Sequence, residues 1–177
     1  MFEKIIKNVH NRHPLIHCIT NYVSINDCAN IVLACGGAPI MAEDINEVSQ
    51  ITSLCQGLDI NIGMLNDNKL SSMLKAGATA NELGIPVILD PVGAGSSDYR
   101  IKAVQNLMSN VQFGVIRGNV SEIKAIAAKQ GIHNIAAGVY ETMQKDRSAM
   151  GVEAGIADKI TDDNIKEMAD FINKLSQ

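Results

Sequence analysis

Tryptophan is absent from this chain of 177 residues, and only three Phe and three Tyr are present. A core must therefore be assembled from Ile, Leu, Val, Ala and Met. Basic residues are outnumbered, 15 Lys and Arg against 19 Asp and Glu, and they do not cluster on one face. That argues against a nucleic-acid footprint. No apolar run approaches the roughly 20 residues that a membrane-spanning helix needs. The opening MFEKIIKNVHNRH has neither a long apolar region nor a small-residue cleavage site, so it does not read as a secretory signal. A cytoplasmic protein is expected. The four cysteines, Cys18, Cys28, Cys35 and Cys55, contain no C-x-x-C pair of the zinc or redox kind. Each lies in an apolar run, and all four are expected as buried free thiols. His10, His13 and His17 match neither an H-E-x-x-H helix nor a finger, and no G-x-x-x-x-G-K-[ST] phosphate loop occurs. There is no internal repeat, low-complexity tract or linker.

Apolar residues make up 46% of the chain, enough for one soluble globular domain over 1–177. Helical and strand patterns alternate along it. Phe2, Ile5, Ile6 and Val9 share a helical face. A strand is expected at 15–20, then a helix over 23–35 carrying Ile25, Cys28, Ala29 and Val32, stopped by Gly36-Gly37. A short strand at 39–41 follows. Asp44 reads as the N-cap of a helix lined by Val48, Ile51, Leu54 and Cys55. Next come a strand at 58–62, a helix carrying Leu70, Met73 and Leu74 and running to Gly84, and a buried strand of four apolar positions at 86–89. A helix bearing Ile101, Val104, Leu107 and Met108, a strand at 113–116 and a helix opened by Ser121 complete this stretch. A last helix, capped by Thr161, places Ile165, Met168, Ala169, Ile172 and Leu175 on one face. Such alternation implies βαβ units: an α/β fold, mainly a parallel sheet flanked by helices. In sheets of this kind ligands bind outside the carboxyl ends of the strands.

Three segments at those ends carry groups capable of chemistry. In ILDPVGAGSS, Asp90 follows an apolar strand, where a carboxylate can hold a cation or accept a proton. Gly93 and Gly95 allow backbone N–H groups to approach an anion. The same residues also suit a plain turn in which Asp90 bonds its own backbone. In VIRGNVSEI, Arg117 can pair with phosphate oxygens, and Asn119-x-x-Glu122 sets an amide and a carboxylate at a helix start, where Glu122 could bind Mg²⁺ directly or through water. Equally, Asn119 or Ser121 could cap that helix with Glu122 complementing its dipole. In HCITNYVSIND, Thr20, Asn21 and Asn26 form a polar cluster after a strand. Met41, ending another strand, can fill core or cover an apolar heterocycle.

PLIHCITNYVSINDCAN, GGAPIMAEDINEV, LDINIGML, GIPVILDPVGAG and VIRGNVSEI, taken in order, resemble hydroxyethylthiazole kinases over almost the whole chain, least clearly from about 131 to 158. The resemblance implies a ribokinase-like α/β fold, usually a homotrimer with active sites between subunits. It implies phosphorylation of the hydroxyethyl group of 4-methyl-5-(2-hydroxyethyl)thiazole by MgATP, in thiamine biosynthesis. Carried over by motif, Asn21, Val23, Met41 and Gly63 contact the thiazole alcohol, Arg117 and Asn119 contact ATP, and Asp90 and Glu122 organise Mg²⁺. Met64 stands where the family usually has Thr, which removes a hydroxyl beside the pocket. The family also continues, beyond a helix like the one near Leu175, with a Gly-Thr-Gly-Cys segment that builds the anion hole. That segment and its catalytic Cys do not occur in these 177 residues. The expectation is a fold incomplete on its C-terminal side, with little activity alone. A non-catalytic thiazole-binding or assembly protein derived from the kinase is the alternative. A related kinase for another small alcohol is a third reading.

Overall fold

The computed structural model describes residues 2–129. Among them helices and strands alternate as α1 (Phe2–Arg12), β1 (Leu15–Ile19), α2 (Ile25–Ala34), β2 (Ala38–Ile40), α3 (Val48–Leu54), β3 (Gly57–Asn61), α4 (Asp67–Glu82), β4 (Val87–Asp90), α5 (Asp98–Asn110), β5 (Val115–Ile116) and α6 (Val120–Lys129). The strands form one sheet in the order β2-β1-β3-β4-β5, and every pairing is parallel. This is the α/β architecture that the alternation predicts. The helix expected to start at Thr161 lies outside the described residues, and the single domain expected over 1–177 extends beyond them. The chain divides into two compact units. The first, 1–90 with 106–117, holds the whole sheet and α1 to α4. The second comprises 91–105 and 118 onward, with α6 in it.

Register explains the core of the first unit. His17 pairs with Leu58, Leu58 with Val87, Ile19 with Ile60, and Ile60 with Leu89. Because side chains alternate along a strand, these residues share one sheet face. All are at most 1% exposed, and α3 and α4 pack on these strands. Each such aliphatic side chain stabilises the fold by about 1.5–3 kcal/mol. The opposite face is different in kind. Cys18, Asp59 and Ile88 are in register on it, as are Asn61 and Asp90. The strand at 86–89 is therefore not buried throughout, as four apolar positions in a row suggest: Ile88 and its β5 partner Val115 are exposed. Parallel strands covered on both sides read as continuous apolar runs, and a short run cannot reveal which of its positions stay exposed.

Other expectations also shift. Asp44 does not cap α3. Its carboxylate accepts the Asn46 N–H at 2.8 Å, forming a turn ahead of the helix, which starts at Val48. The thiols divide: Cys18 and Cys55 are buried, Cys28 is half-buried and Cys35 is exposed. Burial, with the nearby Asp59 carboxylate, pushes the Cys18 thiol up to about 12, leaving it an inert small hydrophobe. In α4 the buried face is Lys69, Ser72, Met73, Ala76, Gly77 and Ala80, a helical period of three and four. Leu70, Met73 and Leu74 all lie on this helix as expected, and Met73 is on its buried face. Asn66 caps this helix by accepting the Lys69 N–H at 2.9 Å.

Gly77 shows how tightly that face is packed. A Cβ there would meet Val111 Cγ2 at 2.5 Å and Cγ1 at 2.7 Å. Ala in a helix interior is favoured over Gly by about 1 kcal/mol, but Val is stiff at χ1 and cannot step aside cheaply. Gly77→Ala is therefore expected to destabilise the fold by about 1–2 kcal/mol net, and Val111→Ala in the same chain to recover part of the loss. Denaturant unfolding of the two variants checks this.

Candidate functional site at the carboxyl edge of the sheet

From β1 the chain moves outward to β2 on one side and then returns to β3 on the other. A parallel sheet with such a reversal leaves a crevice outside its carboxyl ends, between the two strands where the order turns. Here those strands are β1 and β3, so the crevice is bordered by Thr20 and Asn21 and by the segment Asn61 to Gly63.

A row of hydrogen bonds crosses the strand ends at this edge. Asn21 Nδ2 donates to Asn61 Oδ1 at 3.2 Å, and the Gly63 N–H donates to the same oxygen at 2.9 Å. Asn61 Nδ2 then donates to Asp90 Oδ2 at 3.1 Å, and Arg117 Nη1 to that same oxygen at 2.6 Å. The ends of β1, β3, β4 and β5 are thus joined laterally through two amides, one carboxylate and one guanidinium. Asn21 is itself fixed, its Oδ1 accepting from Ser24 N–H and Oγ–H at 3.1 and 3.2 Å. Gly63 admits no side chain, because a Cβ would lie 2.9 Å from both Asn21 Cβ and Asn61 Oδ1.

Charge at the far end of the row is unbalanced. Arg117 is 76% exposed while Asp90 is 14% exposed. An ion pair so open contributes little stability, but its guanidinium faces solvent, where an anion can reach it. Behind the pair, Asp59 is pushed up to about 6 by burial and by repulsion from Asp90, with Arg117 pulling the other way.

A second cluster lies beside the β1 and β2 ends. Lys69, almost wholly buried, donates from Nζ to the Thr20 carbonyl at 2.5 Å and pairs with Glu43 Oε2 at 2.9 Å. Its Nζ stands 4.4 Å from the centre of the Tyr22 ring, and the Tyr22 hydroxyl donates to Glu43 Oε1. Burial raises the Glu43 carboxyl, but the bonds from Tyr22 and Lys69 and the ammonium charge outweigh it and hold the group low. Nearby, His17 Nε2 is 2.8 Å from the Ala42 carbonyl and Nδ1 is 2.9 Å from Thr52 Oγ1. Burial lowers its pKa, against the opposing pull of that carbonyl and of Glu47. A cleft of about 550 Å³ is lined by Glu43, Asp44, Asn66, Lys69 and Ser72 among others. None of Asn21, Val23, Met41 or Gly63 lines it, and of these four Asn21 and Gly63 border the strand-end crevice.

In the second unit, Asn119 and Glu122 form a reciprocal cap at the start of α6. Asn119 Oδ1 accepts the Glu122 N–H at 2.9 Å, and Glu122 Oε2 accepts the Asn119 N–H at 2.9 Å. The N-x-x-E spacing is thus a capping box. Glu122 Oε1 also accepts the N–H of Gly93 at 2.9 Å. Gly93 has φ +65°, a left-handed conformation that glycine adopts without strain.

The eight sequence-derived residues therefore fall into pairs and singles. Asn21 and Gly63 adjoin, Asp90 and Arg117 are bonded, and Asn119 and Glu122 are bonded. Val23 is 87% exposed, and Met41 directly follows the edge strand β2. Asn61, Lys69 and Asp59 join the site with no signal in the sequence pattern, whereas Glu43 lies in a strand-end segment, Met41 to Glu43, where the fold rule places ligands. Asn61 stands inside the motif LDINIGML, but a strand expected to run through Ile62 conceals its place at a strand end. Lys69 falls on the periodic buried face of α4, yet a lysine reads as surface.

Among the described residues no group of three His, Cys, Asp or Glu side chains forms a metal cage, and no helix is long and apolar enough to cross a membrane. Comparison with known proteins agrees with the motif reading. The model of the hydroxyethylthiazole kinase family matches residues 6–164. A hydroxyethylthiazole kinase of Clostridium acetobutylicum is 50% identical over all of this chain and 59% of its own length. One from Methanobrevibacter smithii is 43% identical over 98% of the chain and 57% of its own. The solved structure of a hydroxyethylthiazole kinase protein from Pyrococcus horikoshii superposes with a TM-score of 0.70 at 39% identity, covering 77% of this chain and 53% of that one. The chain thus spans somewhat more than half the length of the curated relatives it matches.

Proposed function

The chain belongs to the hydroxyethylthiazole kinase family, and from that membership we propose that it serves ATP-dependent phosphorylation of the hydroxyl of 4-methyl-5-(2-hydroxyethyl)thiazole, in thiamine biosynthesis or salvage. One observation carries the reading to particular residues: the bonded row Asn21–Asn61–Asp90–Arg117 along the strand ends. It puts the amide proposed for the heterocycle and the guanidinium proposed for phosphate on one edge of one sheet. Asn21, Val23, Met41 and Gly63 bind the thiazole alcohol, Met41 by covering an apolar ring. Arg117 and Asn119 bind ATP, Arg117 through the phosphates.

Mg²⁺, when bound, neutralises phosphate charge. The donors suit a metal that keeps most of its waters. Asp90 supplies a carboxylate at a strand tip. Both Glu122 oxygens already accept backbone N–H groups, so Glu122 acts through water and by holding the Gly93 and Asn119 amides in place. These residues bind and orient. The Gly-Thr-Gly-Cys anion hole of the family is not among the 177 residues, and no transfer step is assigned to them.

The proposal includes a homotrimer with sites completed between subunits and a cytoplasmic location. The exposed apolar residues Val23, Ile31 and Leu33, on or next to α2, support the assembly. This helix packs on the edge strand β2 and has no fully buried residue. Val23, a proposed thiazole contact at 87% exposure, is then covered by a neighbouring copy. Light scattering reports the assembly state directly.

Calorimetric titration with the thiazole alcohol and with MgATP, followed by an assay for the phosphorylated alcohol, tests the function. Binding of both is expected. Arg117→Ala should weaken MgATP by about tenfold or more, equivalent to one charge-assisted contact, while costing under about 1 kcal/mol of stability. Normal MgATP affinity in that variant would remove Arg117 from the site. Binding of the alcohol without any product supports the non-catalytic reading.

A further inference from the structure

The buried Lys69 cluster is used by none of the roles above. A lysine with a side chain only 1% exposed is costly to desolvate, and a well-packed apolar side chain often replaces a buried ion pair without loss. Packing of α4 alone therefore does not call for an ammonium here. What distinguishes the group is where its partners lie. Thr20, whose carbonyl it holds, directly precedes Asn21. Tyr22, whose ring it faces, directly follows Asn21. Glu43, its counter-ion, is two residues after Met41. All three belong to the loops that leave β1 and β2, and the Tyr22–Glu43 bond joins those loops a second time. His17 holds the carbonyl of the intervening Ala42.

We propose that Lys69 is a positioning residue: its ammonium clamps the loop after β1 to the loop after β2 and so sets the spacing between Asn21 and Met41. The proposal rests on the thiazole-binding reading given above and adds a residue to it. Lysine suits the task because its three N–H donors radiate from one point. One reaches a carbonyl and another a carboxylate, and the charge is left to face an aromatic ring. Removing the charge frees the two loops from each other while the sheet keeps its apolar contacts. The heterocycle then meets Asn21 and Met41 at a variable distance and loses affinity through the ordering that binding must impose.

Hydrogen exchange read by mass spectrometry, paired with calorimetry using 4-methyl-5-(2-hydroxyethyl)thiazole, tests the clamp on the wild-type chain, Lys69→Met and Glu43→Gln. In Lys69→Met, the hydrogen-bonded amides that bound the two loops, Ser24 and 46–48, should exchange about tenfold faster, while those of β3 keep their protection. Affinity for the alcohol should fall by about tenfold and the unfolding temperature should stay near that of wild type. A folded Lys69→Met with loop exchange within about twofold of wild type overturns the proposal. Should that variant not fold, Glu43→Gln decides. Glu43 is partly exposed and the change keeps its shape while removing the charge that ties the second loop to the ammonium, so faster exchange at 46–48 supports the clamp and unchanged exchange overturns it. A wild-type chain that takes up no thiazole alcohol refutes the functional reading, and the exchange results still judge the clamp.

Discussion

Asn61→Asp is expected to destabilise the protein by about 2–3 kcal/mol at pH 8, and much of that loss should return on acidification. The substitution keeps the shape of the side chain and changes one donor into an acceptor. Asn61 Oδ1 receives hydrogen bonds from Asn21 and Gly63, and an aspartate oxygen can receive the same two. The other side is where the substitution fails. Asn61 Nδ2 donates to Asp90 Oδ2 at 3.1 Å, and a carboxylate there would place oxygen against oxygen. A hydrogen bond to a charged group is worth about 1.5–3 kcal/mol, and two carboxylates sharing a site cannot both ionise without a further penalty. Asp59, on the same sheet face, adds more negative charge, and Arg117 offsets only part of it from an exposed position. One carboxyl of the new pair would therefore titrate above its unfolded value. A raised acid costs stability above its folded pKa, and the cost disappears as pH falls through the window between folded and unfolded values. Thermal unfolding should show a melting temperature lower by roughly 5–10 °C at pH 8, with the gap narrowing toward pH 4. Asp90→Asn in the same chain should restore part of the stability at pH 8. A gap independent of pH, or a double variant no better than the single, would mean that shape rather than charge holds this edge together.

The network behind that result was only partly legible in the sequence. The alternation of apolar runs gave the parallel sheet and nearly every element, because period and punctuation are local properties. The motifs at the strand ends point to Asp90 and Arg117, and the structure adds a bond between them that no motif implies. Asn61 was concealed by one residue of strand boundary, and boundaries are the least determined feature of a local pattern. Lys69 was missed for a different reason. Its burial depends on a carbonyl 49 positions earlier and a carboxylate in another loop, contacts that no window along the chain contains. Glu122 illustrates a third limit. The spacing Asn119-x-x-Glu122 suits both a capping box and a phosphate or metal site, and the structure provides the box. The family reading uses the same two residues as a fixed arrangement of amides and a carboxylate, so the two roles are compatible.

Asp59→Asn is expected to act in the opposite direction and stabilise the protein at neutral and alkaline pH. Asp59 sits in the middle of β3, in register with Cys18 on one side and Ile88 on the other, surroundings that offer a carboxylate little solvation. Burial first, and the charge of Asp90 second, push it up to about 6 from an ordinary 3.8. Because the folded value lies above the unfolded one, the folded state binds the extra proton between those limits, and stability falls as pH rises through that window. A shift of this size corresponds to about 3 kcal/mol, and partial exposure reduces the expected deficit to about 2 kcal/mol. Asparagine fills the same space with no charge to desolvate. Denaturant titrations should find Asp59→Asn more stable than wild type by about that amount at pH 8 and equal to it near pH 4. A position that weakens the fold in its ionised form, two residues from Asn61 and beside Asp90 and Arg117, is where a local rule gives way to function. MgATP titration of the stabilised variant separates the two explanations. If affinity falls while stability rises, the carboxylate is retained for the charge it sets at Asp90 and Arg117. If affinity is unchanged, the buried carboxylate is a cost of the fold that the ligand site does not use.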